Sequence, residues 1–118
     1  MKLTDLHKEI LAICVDDYAA FGLITKRISK DVYYLDPLPT WARRKTIDLL
    51  RDLLKHGLII AGHLGGPNEP EFTEISLTVD EIVAFIEAEW DKLNRTPDIG
   101  DICWFNATVA GEQVSKEL

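Results

Sequence analysis

The side chains most able to do chemistry are three histidines, two cysteines, three serines and a cluster of cations, and their spacing decides among the chemistries. His7, His56, His63, Cys14 and Cys103 form no short-spaced ligand pair, whereas a zinc site needs several properly oriented ligands. No metal and no other cofactor is expected. Ser29, Ser76 and Ser115 lack a nucleophile-elbow context, and Gly65-Gly66 is not followed by the Gly-Lys-Ser or Gly-Lys-Thr of a phosphate loop. The acids Asp16-Asp17 and Glu87, Glu89 and Asp91 read more simply as a helix cap and a solvated face. The residues predict a protein that is not an enzyme.

The basic cluster remains: Lys26, Arg27 and Lys30, then Arg43, Arg44, Lys45, Arg51 and Lys55. Net charge is −7, which by itself argues against a nucleic-acid partner, but the distribution says more. Residues 1–22 sum to −2 (2 basic, 4 acidic), residues 23–57 to +4 (8 basic, 4 acidic) and residues 58–118 to −9 (3 basic, 12 acidic). Cationic chemistry is thus confined to one third of an otherwise acidic chain. Phosphate is the ligand such a cluster suggests, and a solvated, locally paired helix face is the plainer alternative.

The elements that must position these residues follow from periodicity and capping. At 118 residues, with 47% hydrophobic and 28% charged side chains, the chain reads as a single globular domain, 1–118. Thr4 can cap a first helix whose Leu6, Ile10, Ile13 and Cys14, with Leu3 preceding, repeat at helical spacing. Asp16-Asp17 can cap a second helix to about Lys30, with Phe21, Ile24 and Ile28 on one face. After the loop Asp36-Pro37-Leu38-Pro39, Thr40 is expected to cap a third helix, Trp41 to His56. Its apolar side gathers Ala42, Thr46, Leu49, Leu50, Leu53 and Leu54, and Gly57 ends it as the residue after the cap.

Leu58–Leu64 reads as a strand, Gly65–Pro70 as a loop tip, and Phe72, Ile75 and Leu77 as a short second strand. Thr78-Val79-Asp80-Glu81 has capping-box spacing and opens a helix over 78–93 with the stripe Val79, Ile82, Val83, Ile86, Trp90 and Leu93. That stripe either covers the domain's own core or forms a homodimer seam, and Phe85, off the stripe, is the better hint of an interface. Asp101–Phe105 reads as a last strand, and Thr108 can cap a tail helix. Cys14 and Cys103 lie in apolar runs and are expected to be buried, reduced thiols. The charged N-terminus reads as no signal peptide and no apolar run is long enough to span a bilayer, so a cytoplasmic protein without membrane contact is expected.

Three helices followed by a strand, across "LLRDLLKHGLIIAG", are similar to the winged helix-turn-helix superfamily. The segment Trp104–Gly111 resembles the strand and Thr-x-x-Gly that close many such domains. Asp16-Asp17-Tyr18, Gly57-Leu58-Ile59 and "EIVAFIEAEW…PDIGDICWF" look like small bacterial and phage winged-helix proteins. The resemblance implies an α+β, mostly α, winged helix-turn-helix fold with an extra helix inserted between the wing strands. It makes the third helix the recognition helix and implies a transcriptional regulator that contacts double-stranded DNA through Lys26, Arg27, Lys30, Thr40, Arg43, Arg44, Lys45 and Arg51.

Two features oppose that implication. Arg44 with Asp48, Asp48 with Arg51, and Asp52 with Lys55 have the spacing of local ion pairs. The expected wing, Gly62 to Leu77, has no Lys or Arg and carries Glu69, Glu71 and Glu74. The alternative is a protein-interaction adaptor or inhibitor whose acidic C-terminal half meets a basic protein partner.

Overall fold

The computed structural model describes residues 2–65 and 71–117. The first helix, α1 (Asp5–Asp16), opens at Thr4, whose side chain accepts the His7 backbone N–H while His7 Nδ1 accepts the Thr4 N–H at 3.1 Å. The capping box is therefore closed by an imidazole in place of the usual carboxylate. Its buried face is His7, Ile10, Leu11 and Cys14, with Leu6 and Ile13 at the margins, so the face is rotated from the expected stripe towards His7 and Leu11.

The expected second helix starts later than Asp16-Asp17 implied. Asp17 is the C-cap of α1 and its carboxylate accepts the Tyr18 N–H at 2.7 Å, which holds the chain extended. A two-residue strand follows, β1 (Ala19–Ala20), which the sequence pattern did not reveal. Helix α2 (Phe21–Ile28) begins directly after it and buries Phe21, Ile24 and Ile28 on one face, as expected. Gly22 has a packing role: a Cβ there would collide with the backbone of Asp98, so its absence lets the 98–99 segment lie on the start of α2.

Helix α3 (Thr40–Lys55) corrects the cap assigned to Thr40. Pro39 is the N-cap, its carbonyl accepting from Ala42 and Arg43 at 3.0 and 3.3 Å, and Thr40 is already helical with no side-chain cap bond. At the other end Gly57 takes φ +68, with Gly57 N–H bonded to Leu54 O and Leu58 N–H to Leu53 O. That is a Schellman closure, which puts a left-handed residue where glycine costs least.

Strand β2 (Ile59–Leu64) pairs along its first half with β4 (Trp104–Ala107) and at its far end with β3 (Phe72–Glu74). β4 also pairs with β1, and the four-stranded antiparallel sheet runs β1-β4-β2-β3. β4 starts three residues later than Asp101, because Asp101 N–H bonds to Asp98 O and the Asp101 carboxylate accepts the Asp98 N–H, keeping that stretch in a turn. Helix α4 (Val79–Leu93) lies between β3 and β4 in the chain, opens with the Thr78/Glu81 capping box, and ends at Asn94 in the left-handed region. Thr108 caps the last helix, α5 (Val109–Lys116), as expected.

The architecture is thus α+β, with five helices and a small antiparallel sheet among the described residues. The core is built around Phe21, Ile10, Leu11, Ile24, Leu50, Leu53, Ile59, Ile86 and Phe105. Trp90 is 6% exposed and meets Phe21 edge-on at 5.2 Å. Ile82, Val83, Ile86 and Trp90 all face this core, so of the two readings of the stripe these residues take the covering one. Phe85 is also occupied within the chain, edge-on to His63 at 6.1 Å. Cys14 and Cys103 are buried and unbonded, and burial pushes both thiols up to about 12. Among the described residues no helix is long and apolar enough to cross a membrane.

Candidate functional site

Helix α3 presents two edges of different character. On the edge facing α4, Arg43 is only 28% exposed, with its guanidinium 4.9 Å from the centre of the Trp90 ring. Its Nη1 meets Asp91 Oδ1 at 2.9 Å, and Nη2 meets Glu87 Oε1 at 3.5 Å while donating to the Glu87 carbonyl at 3.1 Å. One turn further past Ile47, Arg51 Nη1 bonds to Asp80 Oδ1 at 2.7 Å. Acids of α4 thus cover this edge, and both arginines are directed to them. None of the three expected local pairs is present: Arg51 reaches Asp80, Asp52 reaches His7, and Arg44, Asp48 and Lys55 make no ion pair among the described residues.

The outer edge carries Trp41, Arg44, Lys45 and Asp48 at i, i+3, i+4 and i+7, a single helix face. Trp41 is 53% exposed, and the three charged side chains are exposed. With the start of α1 this edge encloses a groove of about 690 Å³, lined by Thr4, Asp5, Leu6, His7, Leu49 and Asp52 in addition to the outer-edge residues. Thr40, in the first turn, is exposed.

At the back of the groove Thr4 Oγ1, the His7 ring and Asp52 lie in hydrogen-bonded sequence, with Thr4 Oγ1 to Nδ1 at 2.6 Å and Nε2 to Asp52 Oδ2 at 3.0 Å. The order of groups is that of a hydroxyl–imidazole–carboxylate relay. Their partners give it another role. The Thr4 N–H already points at Nδ1, which fixes that nitrogen as acceptor and leaves the ring proton on Nε2 for Asp52. Thr4 Oγ1 in turn accepts the His7 backbone N–H at 3.3 Å. The chain of bonds closes the cap of α1 and ties it to α3.

The cations of α2 are distributed differently again. Lys26 Nζ lies 5.8 Å from the centre of the Tyr33 ring, and Arg27 Nε meets Glu9 Oε2 at 3.1 Å, both partners half exposed. Lys30 is exposed with no ion pair among the described residues. Of the eight residues the sequence singled out, Arg44 and Lys45 share one open face, Lys30 stands in the turn two residues past the end of α2, and Arg27, Arg43 and Arg51 are paired to acids. The β2–β3 hairpin exposes Glu71 and Glu74, while Glu69 and the rest of 66–70 lie outside the described residues. Phe72 of this hairpin stacks on Tyr18 at 5.1 Å.

Sequence reasoning missed one surface. Tyr34 is 80% and Ile99 68% exposed, and Leu35 and Leu23 are exposed as well. The loops that carry Tyr34, Leu35 and Ile99 are tied to each other: Tyr33 Oη donates to Pro97 O at 2.8 Å, Thr96 Oγ1 donates to Leu35 O at 2.9 Å, and Thr96 N–H donates to Asp36 Oδ1 at 2.9 Å. The backbone of Asp98 and Ile99 lies against Gly22 at the start of α2. These loops also expose Asp31, Asp36 and Asp98. Arg95 forks onto Asp101 at 2.7 and 3.1 Å, and this hydrogen bonding holds the Asp101 carboxyl below its usual range. Burial pushes the Tyr33 phenol up, with Asp98 and Asp101 adding to it, so the group stays a donor. The available signal was the presence of Tyr33-Tyr34-Leu35 and Ile99 on no helical stripe, each beside a proline turn.

Among the described residues no group of three or more His, Cys, Asp or Glu side chains is placed to hold a metal ion. No protein-family model, no curated protein and no solved structure matches the chain.

Proposed function

We propose that this chain is a binding module of winged-helix type, without chemistry of its own, that docks a basic protein partner through its acidic face. The order α1-β1-α2-α3-β2, with the glycine turn after α3 and an inserted α4 before β4, supports the fold reading. The observation that carries the choice of partner is the position of the α4 acids. Asp80, Glu87 and Asp91 neutralise Arg51 and Arg43, the cations on the flank of the helix that would otherwise meet phosphate. Residues 58–118 sum to −9, and the exposed anchors Tyr34, Leu35 and Ile99 share their loops with Asp31, Asp36 and Asp98. An aromatic and aliphatic centre with a charged surround is the usual anatomy of a protein interface.

The test is capture of partners from host extract with and without nuclease, using the wild type, Tyr34→Ala and Ile99→Asp. A partner retained after nuclease and lost from both variants is the expected result. Partners lost on nuclease treatment alone would reverse the reading. A DNA-binding regulator is the second reading, favoured by one observation: Arg44 and Lys45 are exposed on one face of α3 with no ion pair among the described residues. It requires retention on duplex DNA that falls steeply with salt and is weakened by about 1–3 kcal/mol in Arg44→Ala if that side chain forks onto a base.

A further inference from the structure

We infer that the outer edge of β3 is a docking site for an extended, basic segment of a partner protein, which adds to the sheet as a further strand. The hydrogen bonds that flank the β2–β3 ladder fix which way the edge faces. Gly65 N–H bonds to Glu71 O at 3.2 Å and Ile75 N–H to Ala61 O at 2.9 Å, so Glu71, Thr73 and Ile75 turn their backbone groups towards β2. By the alternation of an antiparallel ladder, Phe72 and Glu74 turn theirs outward, where no strand pairs with them among the described residues. A row of free N–H and C=O groups is the template to which an extended chain adds.

The sheet face beside this edge is prepared for apolar side chains. A Cβ on Gly62 would collide with the Phe72 ring, so the glycine lets that ring lie across β2. Phe72 stacks on Tyr18 with the rings 5° from parallel, and Trp104 stands opposite Gly62 on β4. Tyr18 is 38% exposed and Phe72 and Trp104 are half-buried, so aromatic surface remains in contact with solvent. Alternate residues of an added strand would lie on this side of the sheet. Charge selects the occupant. The segments that build the edge and its face, 15–20, 58–77 and 104–107, contain no Lys or Arg and carry Asp16, Asp17, Glu69, Glu71 and Glu74. Glu71 and Glu74 are exposed and make no ion pair among the described residues, and Glu74 stands opposite Gly62, which has no side chain to answer it. A strand with Lys or Arg at alternate positions sets cations against these carboxylates. A second copy of this chain would set Glu71 and Glu74 against their own counterparts, so the edge favours a basic partner over self-association. The edge shares no residue with the Tyr34–Ile99 surface, so this inference stands without the proposed function.

Titration of the intact chain with three capped peptides tests it, read by the backbone amide signals of Phe72 and Glu74. The peptides are KVKVKV, the same peptide N-methylated at every backbone nitrogen, and EVEVEV. KVKVKV should shift both signals saturably and slow the exchange of both amide hydrogens, and the other two should bind at least about tenfold more weakly. Glu74→Gln, which removes charge alone, should weaken KVKVKV by about threefold, read at Phe72. Glu74→Pro also removes the outward N–H while sparing the ladder to β2, and should weaken it by at least about tenfold. An unchanged Trp90 indole signal reports that each variant is folded. No saturable shift at Phe72 and Glu74 would overturn the site. Equal binding of the N-methylated peptide would overturn strand addition, and equal binding of EVEVEV would overturn the basic partner. A dimer of the free chain in sedimentation, abolished by Glu74→Pro, would put a second copy in the partner's place.

Discussion

The two edges of α3 both carry cations, with Arg43 and Arg44 adjacent in the chain, yet they offer opposite surfaces. On one edge Arg43 and Arg51 are held by Glu87, Asp91 and Asp80 of α4. On the other, Arg44 and Lys45 stand open beside Trp41 over a groove whose far wall is the start of α1. Neither the helix nor the side-chain types account for the difference; the neighbouring element does. A cluster of cations in a sequence is therefore a count of charges before pairing, and the binding surface is what remains after it.

The largest effect should come from removing what holds α4 on α3. Trp90→Ala deletes a ring that is 6% exposed and packed edge-on against Phe21, and should cost on the order of 3–5 kcal/mol in urea unfolding. A loss below about 1 kcal/mol would mean that α4 is not docked through this ring, and the contrast between the edges would fall with it. Next, Arg43→Ala should cost about 1–2 kcal/mol, from its bond to the Glu87 carbonyl and its position over Trp90. Arg44→Ala should stay within about 0.5 kcal/mol of wild type. Equal losses for the two arginines would erase the distinction between a structural and an available cation.

A smaller effect is expected at the more exposed end of the paired edge. Asp80→Asn removes a salt bridge between half-exposed Arg51 and an exposed carboxylate, and should cost about 0.2–1 kcal/mol at low salt. The difference should shrink at about 1 M salt, where screening is strong. Persistence at high salt would indicate a role for Asp80 beyond the ion pair.

The Arg95–Asp101 pair extends the comparison to the loop surface. Because the hydrogen bond from Arg95 lowers the folded-state pKa of Asp101, its contribution is present above the ordinary carboxylate pKa and is lost as pH falls through the lowered value. Asp101→Asn should flatten that acid limb of the stability curve, and an unchanged acid limb would detach the pair from loop stability. The thiols run the other way. With folded-state values raised from 9.0 to about 12, Cys14 and Cys103 contribute fully below 9.0 and lose that contribution as pH rises towards 12. At neutral pH both should resist thiol reagents until the chain is denatured, when two thiols should titrate.

Several features were legible from sequence because their causes are local. The Thr78/Glu81 box and the 3.6-residue stripe delimit α4, Gly57 marks the left-handed turn after α3, and Thr108 caps α5. Each depends on residues within a few positions of one another, so spacing alone identifies it. The apolar face of α3 and the burial of both cysteines follow from the same periodicity and composition.

Other features depended on partners remote in the chain. β1 is two alanines whose strand character exists only through pairing with Trp104 and Phe105. Thr40 lost the cap to Pro39 when the chain entered α3, and His7 closed a box that the usual pattern reserves for Glu or Gln. Most consequentially, Arg51 had nearby Asp48 within helical reach and bonded instead to Asp80, 29 residues away. Helical spacing permits a local ion pair but stabilises it only weakly, by about 0.2–0.5 kcal/mol, so a docked neighbouring helix can redirect the side chain. The sequence by itself determined the locally signalled ends, the caps of α4 and α5 and the glycine turn after α3, and how many charges α3 carries. Only the tertiary structure decided which of those charges are free, because packing α4 on one edge brings three acids to it and leaves the other edge facing solvent.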